Sequence, residues 1–216
     1  MSPSTPDADA RHRRLYAITD RKLSGLSHAE QVARLSDGGA RVVQLREKNL
    51  SPREFYREAE EALRVARGRG VRLVINDRAD IALALGADGV HLGQDDVPPR
   101  AARALLGEDA IIGFSTHAPE QAARAARLPV DYVAIGPVFV TSSKENPDAA
   151  VGLEGVARAR EAVGQIHLVA IGGINEENAR AVLDAGADSV AVISALLAPG
   201  DPSEITLRTH RFLDRL

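Results

Sequence analysis

Short apolar runs rich in β-branched residues alternate along the chain with Ala-, Arg- and Glu-rich segments whose apolar positions recur at helical spacing. The runs are "LYAIT" from Leu15, "RVVQLR" from Arg41, "VRLVIN" from Val71, "DGVHL" from Asp88, "AIIGF" from Ala110, "DYVAIG" from Asp131, "IHLVAIG" from Ile166 and "DSVAVIS" from Asp188. Between the second and third, Phe55, Ala59, Ala62, Leu63 and Ala66 form one helical stripe. Strands that are apolar on both faces, each followed by a helix, predict a parallel sheet covered on its outer face by helices.

An internal echo narrows the topology. "GGARVVQLR", "GADGVHLGQ", "VDYVAIGP" and "GADSVAVIS" share a small or turn residue, often an Ala-Asp step, and then a strand. They fall on the second, fourth, sixth and eighth strands, so a βαβα unit repeats four times. Four such units close into a single-domain (β/α)8 TIM barrel, expected over 14–216 after a disordered lead-in at 1–13. The alternative, an open doubly wound sheet, calls for a Gly-rich turn after the first strand, and "LYAITDRKLSG" has no G-x-G-x-x-G.

Composition adds mainly exclusions. A 216-residue chain with 44% hydrophobic residues can bury a large core. Its 27 basic and 30 acidic residues give a net charge of −3, no field for nucleic acid or an anionic membrane. No cysteine is present, which removes disulfides, thiolate metal sites and cysteine nucleophiles and fits a cytoplasmic protein. No apolar run approaches the roughly 20 residues of a membrane span. Oligomeric state, including a homo-oligomer, is left open.

In such a barrel the chemistry sits at the C-terminal ends of the strands. Strand two ends in "QLREK", where Gln44, Arg46 and Lys48 alternate onto one face as anion-binding donors. The plainer reading is a solvated strand end paired with Glu47. Strands three and four end in "INDRAD" and "HLGQDD", which bring Asn76, Asp77, Asp95 and Asp96 to neighbouring strand ends as a hard-cation site. Helix capping is the plainer role for each aspartate. Strand five ends in "GFSTH", where Ser115 and His117 share a face, in a substrate-binding role because no G-x-S-x-G elbow is present. His91 reads as a satisfied core histidine.

Strand six feeds "GPVFVTSSKENPDAAVG", a long connection in which Thr141, Ser143 and Lys144 can wrap a phosphate, read as a lid. Strand seven ends in "AIGGIN", paired glycines before a helix, and Ile193 and Ser194 after strand eight complete a phosphate cup. Two phosphate-grade regions and one metal-grade region, without a clear general base, point to departure of a diphosphate by positioning and charge stabilisation.

In this order and spacing, "QLREK", "INDRADIALALGADGVHLGQDD", "GFSTH", the "TSSK" loop and "AIGGI" resemble the thiamine phosphate synthase (thiamine-phosphate pyrophosphorylase) family over nearly the whole chain. The resemblance implies a Mg2+-dependent (β/α)8 transferase. It would join 4-amino-2-methyl-5-hydroxymethylpyrimidine diphosphate to 4-methyl-5-(2-phosphoethyl)thiazole, through a pyrimidine methyl cation captured by the thiazole nitrogen. It further implies Gln44, Arg46, Lys48, Asn76 and Ser115 on the pyrimidine diphosphate, and Asp77 and Asp96 on Mg2+. Thr141, Ser143, Gly173, Ile193 and Ser194 would hold the thiazole phosphate, and Lys144 the diphosphate. Arg46, Lys48, Ser115 and Lys144 would be the catalytic groups. Two positions depart from the family's loop: Val140 stands for a proline and Ser143 for a threonine whose hydroxyl it keeps. A thiazole tautomerase on the same barrel, acting through His117, and a non-catalytic binder of thiamine precursors are the rival readings. Neither needs the full cation, carboxylate and lysine set.

Overall fold

The computed structural model describes residues 14–141 and 149–216. Eight parallel strands close into one barrel in the order β1 to β8. They are β1 Leu15–Ile18, β2 Val42–Leu45, β3 Arg72–Asn76, β4 Gly89–Leu92, β5 Ile111–Thr116, β6 Tyr132–Ile135, β7 His167–Ile171 and β8 Ser189–Val192. All eight apolar runs become strands, and the expected (β/α)8 barrel is the observed fold.

The helices are α1 Arg21–Ser24, α2 His28–Asp37, α3 Pro52–Gly68, α4 Ala79–Leu85, α5 Pro99–Leu106, α6 Pro119–Ala125, α7 Gly152–Val163, α8 Ala179–Asp184, α9 Ser194–Leu197 and α10 Ser203–Asp214. None among the described residues is long and apolar enough to cross a membrane. α3 shows how sequence sets an element. Ser51 and Glu54 form a reciprocal capping box, Pro52 opens the first turn, and the stripe Phe55, Ala59, Ala62, Leu63 and Ala66 is buried. α2 starts on the same device, Ser27 with Glu30.

Two apolar layers result. Outward side chains such as Val43, Leu45, Leu73 and Ile75 pack under the helices. Inward ones, among them Tyr16, Ile18, Val74, Tyr132, Ala134, Val169 and Ala191, fill the barrel interior. The Ala-Asp echo has a structural cause. Asp88, Asp131 and Asp188 each turn a carboxylate oxygen back to the backbone N–H of Leu73, Ile112 and Leu168, at 2.8, 2.7 and 2.7 Å. Arg103 from α5 and Arg160 from α7 brace two of these carboxylates. The aspartates therefore clamp alternate strands at the end of the barrel opposite the chemistry.

Candidate active site

A cavity of about 610 Å³ opens at the C-terminal ends of the strands, a size suited to small-molecule ligands. Gln44, Arg46, Lys48, Asn76, Asp77, Asp95, Asp96, Ser115, His117, Thr141, Gly173, Ile193 and Ser194 all line it. Ser143 and Lys144 lie outside the described residues, as does the lead-in at 1–13.

The cationic side is built at the end of β2. Gln44 is buried, and Arg46 is aimed by a partner the sequence did not disclose. Asp20 caps α1 by accepting from Leu23 N–H through Oδ1, and its Oδ2 accepts from Arg46 Nη1 at 3.2 Å. Thr19 Oγ1 accepts from Arg46 N–H. Glu47 does not neutralise this group. Its carboxylate accepts from the backbone N–H groups of Lys48 and Asn49 and faces His28 Nε2 at 3.4 Å. The Lys48 ammonium instead meets Asp77 Oδ2 at 3.1 Å, in a pair whose lysine is exposed and which adds little to folding stability.

The aspartates do not cap helices. The N-cap residues of α4 and α5 are Arg78 and Pro98, and neither helix has a side-chain cap bond. Asp77 holds φ +63°, a left-handed backbone that Asp and Asn tolerate better than other non-glycine residues. Asp96 Oδ2 accepts from Gly93 N–H at 2.6 Å. Burial, and then the adjacent Asp77 carboxyl, hold the Asp96 carboxyl above its usual range, against the opposing Gly93 N–H and Lys48. Beside the pair, Asn76 Nδ2 is buried with no hydrogen-bond partner among the described residues, at a cost of about 1–3 kcal/mol unless a ligand acceptor satisfies it. Among the described residues no group of three or more His, Asp or Glu could hold a metal ion. Two carboxylates beside an open cavity are still a donor set that fits Mg2+, which takes one or two carboxylates and completes its shell with water and substrate oxygens.

Ser115 and His117 both line the cavity, as strand alternation predicts, but their hydrogen-bond partners come from elsewhere. Ser115 Oγ lies 2.8 Å from His91 Nε2, and His91 Nδ1 lies 2.8 Å from the Tyr132 hydroxyl. His117 donates Nδ1–H to the Gly136 carbonyl at 2.6 Å, while its backbone N–H donates to Gln121. His91 is hydrogen-bonded on both sides, as a satisfied histidine, yet it faces the cavity. The phosphate-cup reading is also adjusted. α8 starts only at Ala179, so Gly172 and Gly173 do not open directly into a helix. They sit at φ +100° and +67°, against Pro137 and Phe139, where added side chains would collide. On the other side of the cup, the four-residue helix α9 follows Ile193, and its first backbone N–H groups have no partner within the helix.

Burial makes three histidines poor bases. It lowers His28 and His167, and it lowers His91 to about 4. The unfolded chain takes up these protons first, near pH 6.5, so their stabilising contribution is complete above that value. It is lost as pH falls below that value, for His91 down to about 4. Melting temperatures measured from pH 7 to pH 4 should begin to fall below about 6.5. A flat profile down to the carboxylate range would contradict this.

A family model described as thiamine monophosphate synthase matches residues 15–196. The chain is 49% identical to a thiamine-phosphate synthase of Clostridium novyi over 87% of this chain and 92% of the relative. It is 48% identical to one of Syntrophomonas wolfei over 87% and 90%. The solved thiamine phosphate pyrophosphorylase of Pyrococcus furiosus superposes with a TM-score of 0.82 at 37% identity, covering 95% of this chain and 97% of that one.

Proposed function

The chain belongs to the thiamine monophosphate synthase family, a transferase of thiamine biosynthesis, and from that premise we propose that it works by diphosphate departure without acid–base catalysis. Its substrates are 4-amino-2-methyl-5-hydroxymethylpyrimidine diphosphate and 4-methyl-5-(2-phosphoethyl)thiazole. The C–O bond of the pyrimidine methylene breaks, and its electron pair leaves on the diphosphate. The thiazole nitrogen lone pair then forms the C–N bond, giving thiamine phosphate. No proton moves, which suits a cavity in which burial holds His91 neutral.

The observation that carries the reading is the meeting of Arg46, Lys48, Asp77, Asp96 and Asn76, whose Nδ2 has no partner among the described residues, on one wall of the cavity. Arg46, fixed by Asp20, and Lys48 orient the diphosphate and take up its developing charge. Asn76 Nδ2 donates to a diphosphate oxygen. Mg2+, held by Asp77 and Asp96, would add Lewis-acid stabilisation of the leaving group. Across the cavity, Gly173, Ile193 and Ser194, with Thr141, receive the thiazole phosphate. Ser143 and Lys144 join them as sequence-based members of the site. Incubating both substrates with Mg2+ should release one diphosphate per thiamine phosphate formed. Absence of release, with aromatisation of a thiazole tautomer instead, overturns the proposal.

A further inference from the structure

Five side chains from five strands cross the cavity floor in one hydrogen-bonded line. Gln44 Nε2 donates to the Tyr16 hydroxyl oxygen at 3.4 Å, and Tyr16 and Tyr132 hydroxyls are 2.7 Å apart. Tyr132 continues to His91 Nδ1 and His91 Nε2 to Ser115 Oγ, both at 2.8 Å. The line is built. His91, Gly113 and Tyr132 are register partners on β4, β5 and β6. A Cβ at Gly113 would fall on the Tyr132 ring end and hydroxyl, so the bare backbone of β5 seats that phenol. Over it the His91 and Tyr132 rings lie within 15° of parallel.

Each gap in the line holds one proton, so the bonds must all point the same way. Tyr16 oxygen accepts from Gln44, which leaves its own proton for Tyr132. Tyr132 then donates to His91 Nδ1, the His91 proton sits on Nε2, and Nε2–H donates to Ser115 Oγ. With the Gln44 amide nitrogen facing Tyr16, the reverse order leaves the Tyr16 proton with no acceptor among the described residues, a cost a buried hydroxyl does not bear lightly. Burial keeps the three titratable members in their one-proton forms: Tyr16 is pushed up to about 12, Tyr132 well above its usual value, and His91 down to about 4.

We propose that Tyr16, Tyr132 and His91 are positioning residues that polarise this line, fixing Ser115 as a hydrogen-bond donor and the Gln44 Oε1 oxygen as an acceptor toward the substrate ring. That pair matches an aminopyrimidine, whose amine donates and whose adjacent ring nitrogen accepts. It mismatches a pyrimidinone, in which the carbonyl accepts and the ring N–H donates. The specificity rests on the proposed substrate reading, whereas the polarity of the line does not.

The test has two parts. 15N NMR of the ligand-free full chain reads the His91 tautomer, expected as Nε2–H. Tyr132→Phe keeps the ring over Gly113 and should lose the single tautomer. Tyr16→Phe leaves Tyr132 as donor to Nδ1 and should retain it. Kinetically, Tyr132→Phe should cut the kcat/KM preference for the aminopyrimidine diphosphate over its 4-oxo analogue by roughly 10–100-fold, mostly by loss on the amino substrate. The dependence on Mg2+ should stay as in the wild type. A wild-type Nδ1–H tautomer, or unchanged tautomer and preference in a folded Tyr132→Phe, overturns the proposal. Failure of the wild type to release diphosphate would remove the substrate reading while the tautomer still reported on the relay.

Discussion

Asp96→Asn is expected to lower turnover by roughly 10²–10³-fold, the scale of losing one preorganised electrostatic group, while leaving the protein at least as stable. The two effects have one origin. The Asp96 carboxyl is partly buried beside the Asp77 carboxyl, and its pKa is raised in the fold. A carboxylate whose folded pKa lies above its unfolded value costs stability once pH exceeds the unfolded value, because the unfolded chain releases its proton first. Asparagine removes that charge and can still accept from Gly93 N–H. On the proposed function, a cation bound by both carboxylates would offset that cost. Adding Mg2+ should raise the melting temperature of the wild type and not of Asp96→Asn. Asp77→Asn is the matching variant, since asparagine accepts the φ of +63° at this position. Asp77→Ala would mix the lost ligand with backbone strain of about 1–2 kcal/mol. An Mg2+ titration of diphosphate release identical to that of the wild type would remove the metal assignment.

The barrel was legible because its strands are apolar on both faces and its helices carry one buried stripe, so each element announces itself locally. The echo of Asp88, Asp131 and Asp188 gave the repeat, but not its cause. That cause is a bond from each carboxylate to a strand 15 to 20 residues earlier. Strand-end reasoning brought Gln44, Arg46, Lys48, Asn76, Asp77, Asp96 and Ser115 to one cavity. It missed what orients them. Asp20 acts on Arg46 across 26 residues, and Tyr16 meets Tyr132 across 116. Within "LYAIT" and "DYVAIG" these tyrosines read as strand filler. Alternation put Ser115 and His117 on one face, and both do line the cavity, but it could not name the hydrogen-bond partner of Ser115. That partner, His91, comes from the neighbouring strand, where only register can reveal it.

Gly113→Ala should cost about 1–3 kcal/mol, the scale of an overpacked core. For a chain of this length that is a melting-temperature drop of roughly 2–12 °C. Nothing about Gly113 requires a special backbone, and a glycine inside a strand is otherwise a weakness. Its neighbour explains it: the new methyl would occupy the place of the Tyr132 phenol end. Because that obstacle is a side chain, the collision can be relieved by shortening it. Tyr132→Val alone leaves a void, and in the double variant the alanine methyl occupies part of the vacated space. The two substitutions should therefore be coupled by about 1 kcal/mol or more in the favourable direction, read from denaturant unfolding of the full cycle. Gly89→Ala is the contrast. There the added Cβ would fall on the Ile111 carbonyl of the paired strand, which no side-chain change can clear. Gly89→Ala should be the more damaging variant and should not be rescued by Tyr132→Val. Additive effects of Gly113→Ala and Tyr132→Val would mean that the glycine does not seat the phenol, and would remove the support it gives to the line from Gln44 to Ser115.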